Sequence, residues 1–229
     1  MPSSTAQEYL ETIYNITVEG DPVVNARLAE KFGVSAPSVT EMLHRLVRDG
    51  YATLDRLTGA QLTEKGIAVA EDSLRRHRIA ERFLFDVLKM DWIAAHEEAH
   101  ALQNALTPAI EARIVDELGN PTTCPHGNPI PGRAPRTYDF LKSHGAVRLS
   151  RADVNSPRQV LCISEVVEDE TALLRAVGDK GIRPGVEIVV RETAPGEGAG
   201  FIVELAGRRE TLSHSIAEKI WVCEPDRMP

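Results

Sequence analysis

Hydrophobic residues recur at helical spacing through the first third of the chain. Leu10, Ile13, Tyr14 and Thr17 fall at i, i+3, i+4 and i+7, one face of a helix. Thr5 and Glu8 have the spacing of a capping box, which predicts that this helix opens at Thr5. Asn25 is placed to cap a short second helix with Leu28, Ala29 and Phe32 facing inward, and Gly33 follows as its left-handed terminator. Ser35 can cap a third helix with Pro37 in its first turn, where the missing N–H costs nothing. Its inward stripe is Val39, Leu43, Leu46 and Val47, and Gly50 ends it. The opposite face carries Pro37, Glu41, His44, Arg45 and Arg48. A strand at Tyr51–Leu54, a tip at Asp55–Ala60 and a return at Gln61–Thr63 predict a small hairpin. Helix, helix, glycine-containing turn, helix, hairpin is the order of a winged helix-turn-helix. A plain three-helix bundle with a hairpin would share that order, but Ser35, Pro37 and the polar outer face favour DNA binding.

The pattern then changes twice. From about residue 73 to 118 it is almost entirely helical. A helix over about Thr63–Leu88 carries His77 and Glu81 at i, i+4 beside the apolar Ile79, Phe83, Leu84 and Val87. A following helix over about Ile93–Leu106 carries His96, His100, Gln103 and Asn104 on one face. Either polar pair alone reads as a solvated face. Two facing helices with His-x-x-x-Glu and His-x-x-x-His can instead surround a divalent cation. A Pro- and Gly-rich stretch follows from Gly119 to about Arg136. Beyond it, β-branched runs at Val160–Val167, Val186–Val190, Phe201–Leu205 and Ile220–Cys223 predict strands. Turns are expected at Arg183-Pro184-Gly185 and Pro195-Gly196-Glu197-Gly198. The expected fold class is mainly α with a C-terminal all-β domain.

Composition narrows the function. The chain has 229 residues, 42% hydrophobic and 26% charged, which excludes disorder and collagen-like repeats. Its net charge is -8, which does not draw nucleic acid in from a distance. Over residues 1–74 the basic residues are Arg27, Lys31, Arg45, Arg48, Arg56 and Lys65, against eleven acidic ones. A constitutive DNA binder usually shows the reverse balance, whereas a binder switched on by cations tolerates it. No apolar run approaches the ~18 residues of a membrane span, and the polar Met1-Pro2-Ser3-Ser4-Thr5 start predicts no signal peptide. Cys124, Cys162 and Cys223 lie far apart, as expected of reduced thiols in a cytoplasmic protein. There is no nucleophile motif, no His-Glu-x-x-His and no Gly-rich phosphate loop, so an enzyme is not expected.

The chain resembles the diphtheria toxin repressor family of iron- and manganese-dependent bacterial repressors. The resemblance rests on Tyr9-Leu10-Glu11-Thr12-Ile13-Tyr14, on Val34-Ser35-Ala36-Pro37-Ser38-Val39-Thr40 and on Arg48-Asp49-Gly50. It continues through His77-Arg78-Ile79-Ala80-Glu81-Arg82-Phe83-Leu84 and is sharpest at Cys124-Pro125-His126-Gly127-Asn128-Pro129-Ile130-Pro131-Gly132. Gly181-Ile182-Arg183-Pro184-Gly185 and Leu212-Ser213-His214-Ser215-Ile216-Ala217-Glu218-Lys219-Ile220 resemble the SH3-like domain of ferrous-transport accessory proteins. The resemblance implies a winged helix-turn-helix domain over 1–72, a helical metal-binding and dimerisation domain over 73–145, and an SH3-like barrel over 146–229. It implies a homodimer that binds double-stranded operator DNA when metal is plentiful, with no membrane role.

Site residues follow from the same resemblance. One metal site would use His77, Glu81, His96 and Glu170, with Leu173 where an amide ligand often stands. A second would use Glu8, His100, Gln103 and Asn104, with Glu11 one turn beyond Glu8. The family usually places Cys or Glu, Glu and His at those last three positions, so this chain departs from it there. Ser35, Pro37, Ser38 and Thr40 would lie near phosphates or thymine methyls, and Glu41 would face a base, with Arg45, Arg48 and Arg56 also on the DNA side. Oxygen and nitrogen donors suit Mn(II), Fe(II), Co(II) or Zn(II), and the lack of sulfur at the second site leans toward manganese over iron. Two other readings compete. One is a metallohydrolase or metal-storage module, which leaves the winged pattern unexplained. The other is a metal-independent regulator whose SH3-like domain binds a peptide.

Overall fold

The computed structural model describes residues 2–55, 59–167, 169–194 and 200–228. Arg56 at the hairpin tip and the turn expected at Pro195–Gly198 lie outside the described residues. The first helix, α1 (Ser4–Val18), is capped by Ser3, two residues before the expected Thr5. The Ser3 hydroxyl accepts the Ala6 N–H, so Thr5 sits inside the helix and the expected Thr5–Glu8 capping box does not form. Glu8 therefore has no capping role.

Helix α2 (Asn25–Phe32) has Val24, not Asn25, at its N-cap. The Asn25 amide instead donates to the Thr40 hydroxyl at 3.0 Å, tying α2 to α3. Gly33, at φ 60°, reverses the chain as expected, and α3 (Ala36–Arg48) opens with Ser35 accepting the Ser38 N–H. Val39, Leu43 and Leu46 are buried, but Val47 is 37% exposed. At 100° per residue Val47 falls at the margin of that stripe, which corrects its expected burial. Strands β1 (Ala52–Asp55) and β2 (Gly59–Leu62) form the antiparallel wing, with Ala52 opposite Leu62.

Helix α4 (Glu64–Arg82), capped by Thr63, runs into a π-helical turn over Phe83–Val87. Helix α5 (Trp92–Leu102) is capped by Asp91 and stops short of the expected Leu106, giving way to a 3-10 turn over Gln103–Ala105. Helices α6 (Pro108–Glu117) and α7 (Thr137–Ser143) follow. The Pro- and Gly-rich stretch between them is an interior loop: Cys124, His126, Asn128 and Ile130 are all buried.

The C-terminal part is a six-stranded antiparallel sheet. Its strands are β3 (Val147–Arg148), β4 (Pro157–Ile163), β5 (Glu187–Ala194), β6 (Gly200–Leu205), β7 (Arg208–Ser213) and β8 (Ile220–Cys223). They pair in the order β3-β8-β4-β5-β6-β7. Helices α8 (Glu170–Gly178) and α9 (His214–Ala217) complete it. The fold class is therefore the expected one. The strand expected over Val160–Val167 ends at Ile163, because Ser164, Glu165 and Val166 leave the sheet to pack on the other domains.

Those domains share side chains. Val166 is buried in the winged-helix core beside Leu10, Ile13, Leu28 and Leu43. Trp92 of α5 is buried in the core of the β-domain beside Leu173, Leu174 and Val177. A large apolar side chain fully buried this way contributes about 1.5–3 kcal/mol, so each transfer is a substantial tie. Polar ties reinforce them. The Ser164 hydroxyl donates to both carboxylate oxygens of Glu19, at 2.8 and 2.9 Å. Buried Arg78 of α4 holds Glu165 with two hydrogen bonds, at 3.2 and 2.7 Å, and the Asn15 amide of α1 donates to the same carboxylate at 3.0 Å.

Candidate metal centre and recognition helix

His77 and Glu81 lie one turn apart on α4, and α5 packs across them with His96. Glu81 is almost fully buried, and its Oε1 is a point of convergence. His77 Nε2 lies 3.2 Å from it, His96 Nδ1 2.8 Å and His126 Nδ1 3.2 Å. His126 comes from the interior loop. The His126 carbonyl accepts the Ile163 N–H at the end of β4, and the Asn128 amide donates to the Ile163 carbonyl. Gly127, at φ 85°, lets the loop approach: a Cβ there would meet the Leu161 carbonyl oxygen at 2.1 Å. Cys124 Sγ lies 3.9 Å from His126 Nδ1.

Burial alone would raise the Glu81 carboxyl, yet His126 and His77 beside it hold it well below the usual carboxylate range. Burial opposes charge on His96, but its hydrogen bond to Glu81 and the charge of Glu170 push it up to about 9. The neighbouring imidazoles thus favour the charged form of Glu81. Two buried atoms, Glu81 Oε2 and His126 Nε2, have no hydrogen-bond partner. Neighbouring ligands on a tetrahedral ion with bonds of ~2.0–2.1 Å stand about 3.3 Å apart, close to the spacings around Glu81 Oε1. Glu81, His96 and His126 offer ligand atoms within 4.8 Å of one another, and imidazoles with a carboxylate are a donor set that fits a divalent transition metal.

The other sequence-predicted ligands surround this point unevenly. Glu170, at the start of α8, lies 3.9 Å from His96 Nε2, and burial raises its carboxyl. His100 joins His77 and His96 in a second group whose potential ligand atoms lie within 4.8 Å of one another. Burial and the neighbouring His77 and His96 push His100 down to about 4. Glu8 and Glu11 line a cleft of about 680 Å³ with His77, Glu165 and Glu170. Burial raises the Glu11 carboxyl. The Gln103 side-chain oxygen lies 2.9 Å from His77 Nδ1, and the exposed Asn104 amide donates to the backbone carbonyl of His100. His126 lies outside the ligand set that the sequence implies. Its signal was the Cys-x-His spacing of Cys124 and His126 in a loop, where no helical period draws attention to it.

In the winged domain, Ser35, Pro37, Ser38, Glu41, His44, Arg45 and Arg48 of the α3 region are exposed. Thr40 is half-buried, its hydroxyl donating to the Ala36 carbonyl and accepting from Asn25. Arg45 and Arg48 lie 3.9 and 3.4 Å from Asp49. Arg56 lies outside the described residues. No described helix is long and apolar enough to cross a membrane.

A winged helix-turn-helix beside a buried histidine–carboxylate cluster and an antiparallel sheet is the architecture of a metal-dependent DNA-binding transcriptional regulator. Comparison with known proteins is specific. Residues 1–60 match the iron dependent repressor N-terminal DNA binding domain, 63–132 its metal binding and dimerisation domain, and 147–224 the FeoA domain. The iron-dependent repressor IdeR of Mycobacterium bovis is 35% identical over 225 residues, covering 95% of this chain and 96% of that protein. The diphtheria toxin repressor of Corynebacterium diphtheriae is 35% identical over 198 residues, covering 82% of this chain and 85% of its own. Among solved structures, a manganese-dependent transcriptional repressor in complex with manganese aligns with TM-score 0.76 at 30% identity, covering 96% of this chain and 99% of that one. The repressor ScaR with bound Zn2+ aligns with TM-score 0.80 at 26% identity, covering 97% and 100%. The chain belongs to the family of iron- and manganese-dependent transcriptional repressors that includes the diphtheria toxin repressor.

Proposed function

We propose that this chain acts in the cytoplasm as a homodimer that represses metal-homeostasis genes from a palindromic operator when Mn(II) or Fe(II) is plentiful, Co(II) and Zn(II) being chemically compatible substitutes. The observation that carries this reading is the convergence of three imidazole nitrogens on Glu81 Oε1, with Glu81 Oε2 and His126 Nε2 left buried and unpartnered. His77, Glu81, His96 and His126 would hold the ion, with Glu170 alongside. Bound there, the ion would supply fixed positive charge beside the Glu81 carboxylate. Its ligands come from α4, α5 and the interior loop, and Glu170 brings in the β-domain. Holding these segments in one arrangement narrows the orientations open to the winged domain and shifts the population toward the DNA-competent dimer.

Glu8 and Glu11 extend α1 toward the same cleft, next to His77 and His100, and are placed to join a second ion. Exposed Val87, Leu88 and Ile110, all on the helical domain, support dimerisation through that domain. Ser35, Pro37, Ser38, Thr40 and Glu41 would meet the major groove, with Arg45, Arg48 and Arg56 on its phosphates. The test is fluorescence anisotropy on a duplex selected from a randomised pool in the presence of Mn(II). EDTA should abolish binding, and excess Mn(II) or Fe(II) should restore it. Equal affinity with and without EDTA would overturn the metal-dependent reading.

A further inference from the structure

Gln103 occupies the first position of the 3-10 turn that ends α5. Its side-chain oxygen lies 2.9 Å from His77 Nδ1, while the other nitrogen of the same ring, Nε2, faces Glu81 Oε1 at 3.2 Å. The two nitrogens thus have different duties. An imidazole that gives Nε2 to a cation carries its one proton on Nδ1, and that N–H needs an acceptor. An amide oxygen at this distance is such an acceptor, and it adds no charge to the cluster. Asn104, the next residue, has its amide on the His100 carbonyl of its own helix. Both amides at the end of α5 are therefore engaged with protein groups.

We infer that Gln103 is a positioning residue and not a metal ligand: it holds His77 with its proton on Nδ1 and so presents Nε2 to the metal centre. The inference rests on the metal-centre reading above and adds to it the device that orients one of its ligands. Outer-shell partners of this kind typically change metal affinity by about 10–100-fold when removed.

The experiment titrates Mn(II) into metal-free full-length protein by calorimetry, for the wild type, Gln103→Leu and Gln103→Glu. Gln103→Leu should bind the same number of ions per chain as the wild type, about 10–100-fold more weakly at the His77 centre. Gln103→Glu, which can accept the same N–H, should not show that loss of affinity. Loss of a whole ion in Gln103→Leu would show position 103 to be a ligand position. Unchanged affinity in Gln103→Leu would make Gln103 a bystander. Both outcomes overturn the inference and leave the metal centre standing, whereas a wild-type chain that binds no ion overturns the metal centre itself. A second readout needs no variant. In the Zn(II)-loaded wild type, nitrogen-15 NMR should place the His77 proton on Nδ1, and a proton on Nε2 would sink the inference.

Discussion

Glu81 is the residue on which the centre turns, because one of its oxygens answers three imidazoles from two helices and a loop. Removing its charge while keeping its shape isolates that role. In Glu81→Gln, the rise in melting temperature produced by saturating Mn(II) should disappear. For an intact site, ligand at 100 times its dissociation constant stabilises the folded state by about 2.7 kcal/mol. Calorimetric scans with and without Mn(II) measure the loss, and a full shift in the variant would remove Glu81 from the centre. His77, Glu81 and His96 are legible in the sequence because helical periodicity puts them on faces that must meet. His126 is not, because no period runs through a loop and its position depends on the contact of Gly127 with β4. Gln103 and Asn104 share a face with His96 and His100 on a continuous helix. The change to a 3-10 turn at Gln103, which no residue type announces, alters where they lead.

The third helix works as a single element that binds backbone and reads bases. Ser35 caps it and leaves its N-terminal half exposed, with Glu41 outward among Pro37, His44, Arg45 and Arg48. A carboxylate accepts from the N4–H of cytosine and cannot donate to any base. The operator should therefore favour C at one position of each half-site, and Glu41→Gln should relax or switch that preference by about 1–3 kcal/mol. Selection from a randomised duplex pool with each protein measures it; identical preferences would clear Glu41 of base reading. Most elements were legible from spacing and turn residues, notably Gly33 and Ser35. Helix starts were less so. Ser3, Thr5 and Asn25 are all competent caps by chemistry, and tertiary partners decided among them: Asn25 has its amide on Thr40 across the helix-turn-helix.

The three domains are joined at Ser164-Glu165-Val166, and their junction should respond to pH through Glu19. Burial pushes the Glu19 carboxyl up to about 7, against the opposing pull of the Ser164 hydroxyl and of Arg148. Its folded-state pKa therefore lies above the 4.5 of the free group. The folded protein binds the proton more tightly, so stability from this group is present at low pH and lost as pH rises from about 4.5 through 7. Metal-free wild type and Glu19→Gln should melt at similar temperatures at about pH 4, below the window, where the Glu19 side chain is largely neutral in both the folded and the unfolded chain. At pH 8 the wild type should melt lower, since it alone then buries an anion. Equal melting temperatures at both pH values would remove Glu19 as the sensor. The tripeptide also bears on inheritance. In sequence it belongs to the β-domain, yet Glu165 is used by Asn15 and Arg78, and Val166 by the winged core. A β-domain grafted in from a relative would bring the wrong partners for Asn15, Glu19 and Arg78, leaving a buried guanidinium unanswered. Positions 15, 19, 78 and 164–166 should thus change together between relatives or not at all, so that three modules separable by sequence pattern descend as one unit.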